Sequence, residues 1–338
     1  NYAGFIIRRF FRIFPVFLLM FLASIPGSLL VAWNTAHAPY LSAAHVHDLL
    51  QLIQSWWSNI EWHVPLHLVM LHGAVPPGVL EHTSMAFLAP AWSLSTEWQF
   101  YLVAPLAFAF AIRSRVLYRS GLCALCVCIF VVAKGASRVF PESDSQGALP
   151  SLLEFFFVGA VSYFLYKRNA ENPFFDSVFP VFASLGVFLF VLGGTSRIQL
   201  APLVVWIIFL GLILEHPASA CSRKISPLFT HRLPQFLGRI SYSLYLSHML
   251  LMSVVQYCLL KLAPGMAQPF HFVLLLALTI LTSIAFSAVL YRYVEAPATN
   301  WGKRLAARLA TRPHQTAISL RSSPSRPVVC SLEIANRK

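Results

Sequence analysis

Phe5-Ile-Ile-Arg8-Arg9-Phe-Phe-Arg12-Ile-Phe-Pro15-Val-Phe-Leu-Leu-Met20-Phe-Leu-Ala-Ser-Ile25-Pro-Gly-Ser-Leu-Leu30-Val-Ala-Trp33 joins three arginines to a long run that carries no charge. Crossing about 30 Å of hydrocarbon takes roughly 20 mostly apolar residues, which this run supplies. Arginines gathered at one end of such a run hold that end on the cytoplasmic side. The stretch therefore reads as an oriented transmembrane helix. The rest of the 338-residue chain fits that solvent: 57% of residues are apolar, 11% are charged, and the mean hydropathy is +0.67. A water-soluble domain of this composition would have apolar surface it could not cover.

Eight segments come near spanning length: 14–33, 92–112, 116–133, 149–166, 174–192, 198–214, 236–260 and 270–291. The chain is thus expected to be an all-α polytopic bundle. Threaded alternately with the N-terminus inside, 21 of the 25 Lys and Arg residues fall on one side, and only Lys134, Arg138, Arg197 and Lys261 fall on the other. This satisfies the positive-inside rule and places both termini in the cytoplasm. The net charge of +13 then reports topology and attraction to anionic lipid. A nucleic-acid partner is not expected, because no basic stripe carries interleaved aromatics. No signal peptide is visible, and the absence of an initiator Met suggests a fragment.

Asn34 to Pro90 differs from the rest, with seven of the twelve histidines together with Trp56, Trp57 and Trp62. It reads as an interfacial layer on the outer side. Within it His47 to Trp57 suits an amphipathic helix, and Val64 to Leu71 is too short to span, so either can form a re-entrant lid. The pairs His45/His47 and His63/His67 have ligand-like spacing, but no carboxylate or cysteine completes a set, so no metal site is expected. Cys123-x-x-Cys126 likewise lacks a second pair and reads as small buried thiols in a span, beside Cys128. Cys258 lies in another span, and Cys221 and Cys330 in cytoplasmic segments. No internal repeat is apparent, which weighs against repeat-built transporters. Residues 1–300 form the membrane domain. Residues 301–338 read as a basic cytoplasmic helix, with Trp301, Leu305 and Leu309 on one side, followed from Pro313 by a disordered tail.

Three constellations place polar groups where hydrocarbon makes them costly. Arg9 and Arg12 share one helical face at the inner mouth of the first span. Guanidinium forks bind phosphates bidentately, so the pair suits a phosphorylated cosubstrate, with an ordinary topology anchor as the alternative. In Trp92-Ser-Leu-Ser-Thr-Glu97-Trp-Gln-Phe-Tyr101, the residues Ser93, Glu97 and Tyr101 follow at i, i+4 and i+8 and can line a polar cavity, with helix packing as the alternative. In Gly238-Arg-Ile-Ser241-Tyr242-Ser-Leu-Tyr245-Leu-Ser-His248, the residues Ser241, Tyr245 and His248 make a polar stripe near mid-span. His248 there is either a proton-transfer group or a satisfied packing residue.

Taken together, these blocks resemble the acyltransferase-3 family of membrane enzymes that O-acylate cell-surface polysaccharides, lipopolysaccharides and related glycans. The resemblance covers Phe5 to about Trp301. Arg9 and Arg12 are similar to the family's R-x-x-R, Trp92 to Tyr101 to its W-S-L-S-x-E-x-x-F-Y, Gly238 to His248 to its G-x-x-S-Y-x-x-Y-x-x-H, and Glu295-Ala-Pro297 to the E-x-P that closes the last span. Members begin with two further spans, which with these eight make the family's ten. The first of them carries an Arg and the expected catalytic His, which nothing here matches, so the resemblance implies a chain truncated at its N-terminus.

The resemblance further implies transfer of an acyl group, acetyl in the first place, from acyl-CoA as cosubstrate to a hydroxyl of a glycan or glycolipid, in the inner (plasma) membrane and with no bound cofactor. It assigns Glu97 and His248 to catalysis, with Glu97 facing the acceptor. Arg9, Arg12, Ser93, Tyr101, Ser241, Tyr242 and Tyr245 fall to substrate binding. Two other classes stay open: a proton-coupled transporter or flippase, and a catalytically dead homologue.

Overall fold

A computed structural model describes residues 2–112 and 230–319, with scattered positions between 147 and 210. Every regular element among them is helical. The first helix, α1 (Tyr2–His37), begins well before the apolar run and carries the arginine cluster on its own first turns. At 1.5 Å per residue it is about 54 Å long. Pro15 and Pro26 lie inside it, which packed neighbours allow by re-satisfying the backbone groups that proline frees.

After α1 come α2 (Ala43–Ser58), α3 (Ile60–Leu68) and short 3-10 turns at His72–Ala74 and Ala89–Ala91, then α4 (Trp92–Ile112). The amphipathic helix expected over His47 to Trp57 starts earlier because Ser42 caps it, its side chain accepting from the His45 amide at 3.3 Å. The segment from α3 to Ala91, called the cap below, does not lie away from the bundle. It folds back on the middle of α1, where Met70, Phe87 and Leu88 join Val16, Phe17, Met20 and Phe21 in one core.

The last described elements are α5 (Arg232–Leu262), α6 (Gln268–Leu290), a single π-helical turn at Tyr291–Glu295 and α7 (Ala296–Ser319). Helices α5 and α6 form a hairpin whose seam is made of serines: Ser243, Ser247, Ser283 and Ser287 are buried, with Ser247 and Ser287 hydroxyls 3.2 Å apart. Small side chains let apolar helices approach closely, and Ser247 and Ser287 partner each other across the seam. Helix α7 runs beside the arginine end of α1, where Trp301 meets Phe11 edge-on at 4.8 Å. Gly302 allows that approach, since a Cβ there would lie 2.5 Å from the Phe11 Cβ.

Among the described residues, three rods are long and apolar enough to cross a membrane: α1, α5 and the continuous stretch Gln268–Leu309. Large apolar side chains such as Leu22, Leu29, Phe270, Val273, Leu276 and Leu281 face outward from them, the inverse of a soluble bundle. Of the eight expected spans, 14–33, 92–112, 236–260 and 270–291 fall in α1, α4, α5 and α6. The segments 116–133 and 174–192 lie outside the described residues, and 149–166 and 198–214 are described only at scattered positions. The Cys123, Cys126, Cys128, Cys221 and Cys330 positions also lie outside them, while Cys258 is a free, exposed thiol.

The disordered tail expected from Pro313 is displaced, because α7 continues to Ser319. Extending a helix already anchored against α1 adds one hydrogen bond per residue fixed and needs no amphipathic pattern. Residues after 319 lie outside the description.

Candidate functional site

Arg9, Glu97 and Tyr101 come together where α1 crosses α4. The Tyr101 hydroxyl donates to a Glu97 carboxylate oxygen one turn away. The Arg9 guanidinium lies over the Tyr101 ring, 4.8 Å from its centroid, and 5.5 Å from that of Phe5. A cation held through the face of an aromatic ring keeps its in-plane N–H donors free for another ligand. Arg12, exposed on the same helix, acts electrostatically on Tyr101, Tyr242 and Glu295. Along this side of α4, Tyr101 meets Arg9 of α1 and Ser93 meets Tyr245 of α5.

Ser93 donates its hydroxyl to the Tyr245 oxygen at 3.0 Å. Tyr242 donates to the Ile13 carbonyl at 2.7 Å, tying α5 to α1. The Nδ1 of His248 lies 2.7 Å from the Tyr245 carbonyl. A carbonyl only accepts, so this contact assigns the proton to Nδ1 and leaves a lone pair on Nε2. Ser241, exposed, donates back to the Gly238 carbonyl at 2.9 Å. Ser241, Tyr242, Leu244, Tyr245 and His248 line one open groove of about 580 Å³, so the polar stripe read from their spacing forms one wall.

Two features were not legible as site residues. Glu295 is 8% exposed and accepts from the buried Ser243 hydroxyl at 2.6 Å. The π-helical turn that ends α6 carries this carboxylate inward, and such turns concentrate at functional sites. A lone acid after a long apolar run was a visible signal, but its serine partner was not. The other is the polar face of α4 opposite Glu97. Ser95 accepts from the Gly73 amide at 3.0 Å, and the Gly147 carbonyl accepts from Thr96 at 3.1 Å and Gln99 at 2.9 Å. These bonds seat the cap and residue 147 against α4.

The cap brings His63 and His67 to a third histidine, His72. The His67 and His72 rings stack at 4.0 Å and 2°, and His67 stacks in turn on Phe21 at 4.6 Å. All three histidines are buried; Nδ1 of His63 and Nδ1 of His72 have no hydrogen-bond partner among the described residues, and Nδ1 of His67 lies 2.8 Å from the His63 carbonyl. His72 is bonded through Nε2 to the Ala91 carbonyl at 3.1 Å. Burial pushes the His72 imidazole down to about 4, with the Ala91 bond opposing and the charge of His63 adding. Burial also holds His63 and His67 below the ordinary histidine range. No group of three or more His, Cys, Asp or Glu able to hold a metal ion occurs among the described residues. His45 and His47 sit in the first turns of α2.

Long apolar helices enclosing a cluster of arginine, carboxylates, tyrosines and a histidine define a multi-pass membrane protein with a polar site between its helices. A family model described as an acyltransferase domain matches residues 1–292, and the chain belongs to this acyltransferase-3 family of membrane acyltransferases. No curated protein and no solved structure matches it.

Proposed function

We propose that this protein moves an acyl group, acetyl in the first instance, from acyl-CoA to a hydroxyl of a cell-surface glycan or glycolipid. The observation that carries the reading is the pair Tyr245 and His248 in one groove. Ser93 occupies an acceptor position on the Tyr245 oxygen, leaving the phenol hydrogen free to donate. The Tyr245 carbonyl fixes the His248 tautomer, leaving Nε2 free to accept. One group is a hydrogen-bond donor for a developing oxyanion, and the other a general base.

In the proposed step Nε2 of His248 takes the acceptor hydroxyl proton as that oxygen attacks the thioester carbonyl. Tyr245 donates to the oxygen that becomes negative. Collapse breaks the carbon–sulfur bond, and the histidinium returns its proton to the departing CoA thiolate. Arg9 and Arg12 offer forked donors to the CoA phosphates at the cytoplasmic mouth, and Tyr242 and Ser241 line the path between. Glu97, expected to face the acceptor, is better supported as a positioning group, because its bond to Tyr101 steadies the ring over which Arg9 lies. The acceptor enters from the opposite side, so donor and acceptor meet within the bundle.

The test is acceptor-dependent release of free CoA from acetyl-CoA by the full-length protein in lipid nanodiscs, with bacterial surface polysaccharides as acceptors. Replacing His248 with Gln keeps its size and polarity and should cost about 10²- to 10⁴-fold in rate. A His248→Gln protein within a few-fold of the parent would remove the general base. CoA release that is absent in wild type with every acceptor, alongside accumulation of glycan across a vesicle membrane, would assign the site to transport.

A further inference from the structure

The arginines that open α1 do not all serve one place. Arg8 and Arg9 are consecutive, so their side chains leave the helix about 100° apart. Arg9 lies over Tyr101 of α4. Arg8 is exposed, and its guanidinium stands 3.5 Å from the point that a Cβ on Gly4 would occupy, with the Ala306 Cβ of α7 3.8 Å from the same point. Arg8 is therefore at the α1–α7 seam, outside the cluster of Arg9, Glu97 and Tyr101.

On α7, beside the Gly302 that closes this seam, Lys303 and Arg304 are also exposed. Neither α1 nor α7 contains an Asp or Glu. Glu295, the acid just before α7, is buried and accepts from Ser243. Three cations thus gather where neither helix offers a carboxylate, and a bound anion relieves their mutual repulsion.

Trp301 says what kind of anion. Its ring meets Phe11 edge-on at 4.8 Å, yet it remains 60% exposed. Indole rings on membrane proteins prefer the headgroup level. Lys303 and Arg304 follow two and three residues later, about 3 to 4.5 Å further along the helix, and Arg304 shares a face with Trp301 at i, i+3. An anionic phospholipid supplies both partners, a phosphate for the cations and acyl chains for the indole. A soluble phosphate would leave the indole unmatched, and phosphatidylcholine brings a cation of its own.

We infer that the α1–α7 seam is a headgroup site for one anionic phospholipid of the leaflet at the arginine end, held by Arg8, Lys303 and Arg304 with Trp301 against its chains. A topology anchor needs only charge near the end of a span. This site needs these cations beside this tryptophan, so equal charge elsewhere does not replace them. It leaves Arg9 and Arg12 to the donor and does not depend on the acyl-transfer reading.

The test takes full-length protein, delipidated in a neutral detergent, and titrates it with phosphatidylglycerol or with phosphatidylcholine of the same acyl chains. Bound lipid is counted by native mass spectrometry. Wild type should hold its first phosphatidylglycerol about tenfold or more tightly than phosphatidylcholine, and Lys303→Ala combined with Arg304→Ala should remove most of that preference. Arg232→Ala combined with Arg239→Ala takes the same charge from exposed positions of α5 and should leave the preference nearly unchanged. Arg8→Gln should weaken retention several-fold, and it decides the matter if the α7 double variant is not monodisperse.

Equal retention of the two lipids by wild type would overturn the site. Equal losses in the α7 and α5 double variants would do the same, since they would reduce the preference to diffuse surface charge. Displacement of phosphatidylglycerol by coenzyme A would give these cations to the donor instead. Because the readout is lipid retention, a failure of acyl transfer leaves this inference standing.

Discussion

Arg9 shows how much one side chain's meaning depends on its neighbours. By sequence it is one of three arginines at the mouth of an apolar run, open both to a phosphate-binding role and to that of a topology anchor. In the structure its guanidinium lies over Tyr101, which donates to Glu97. An anchor needs charge alone, whereas a phosphate fork needs a plane. Arg9→Ala is expected to raise the donor KM about 10- to 100-fold, the scale of a lost hydrogen bond to a charged group. Arg9→Lys should recover only part of it, because an ammonium can sit over the ring but cannot present two parallel donors. Steady-state kinetics with acetyl-CoA varied at fixed acceptor decide this, and an unchanged donor KM in both variants would reduce Arg9 to an anchor. Glu97→Gln should move the same constant in the same direction, since the amide holds Tyr101 less firmly.

Among the elements, the cap is the least expected from sequence and the most constrained. A Cβ at Gly73 would fall 2.5 to 2.7 Å from backbone atoms of Gly147, and backbone cannot yield as a flexible side chain can. Gly73→Ala should therefore destabilise the protein by about 1–3 kcal/mol, the usual cost of overpacking. Gly78→Ala, whose added methyl has no heavy atom within 4 Å, should leave the melting temperature nearly unchanged. Equal effects of the two would show that the Gly73 contact is not rigid.

The same cap predicts a pH dependence. Burial lowers the His72 pKa from 6.5 to about 4. Above pH 6.5 the imidazole is neutral folded or unfolded and contributes no slope. Between 6.5 and about 4 the unfolded chain takes up a proton that the folded one refuses, so stability falls as the pH is lowered. For His72 alone the full loss is about 3 kcal/mol. Thermal melts between pH 7.5 and 5 should show the decline, and His72→Gln should flatten it. An unchanged slope would mean that the cap opens before the histidine is titrated.

At the scale of the whole molecule, the charge distribution and the bundle make one claim about direction. The arginine end of α1 and the basic α7 lie together, and the His37 end of α1 meets the α5–α6 turn at the other end. Single cysteines at Gly78 and at Lys303, in a background with the native cysteines replaced by serine, are expected on opposite faces. A membrane-impermeant maleimide applied to intact cells should label the first and not the second. Labelling of both would overturn the threading that puts 21 of 25 cations on one side.

The sequence alone determined the solvent, the helical class and the residue types at the site. Each of these follows from local composition: twenty uncharged residues demand a helix in hydrocarbon, and i, i+4 spacing puts Glu97 and Tyr101 on one face. Tertiary structure alone decided that Ser93 meets Tyr245 across 152 positions of chain, that Ser243 satisfies Glu295, and that His72 joins His63 and His67. It also set Arg9 over the ring of Tyr101, whose hydroxyl donates to Glu97. Local spacing fixes which face of a helix a side chain occupies. What that face meets depends on close packing between helices, where small residues such as the seam serines and Gly302 set how near two backbones come, and no single segment carries that information.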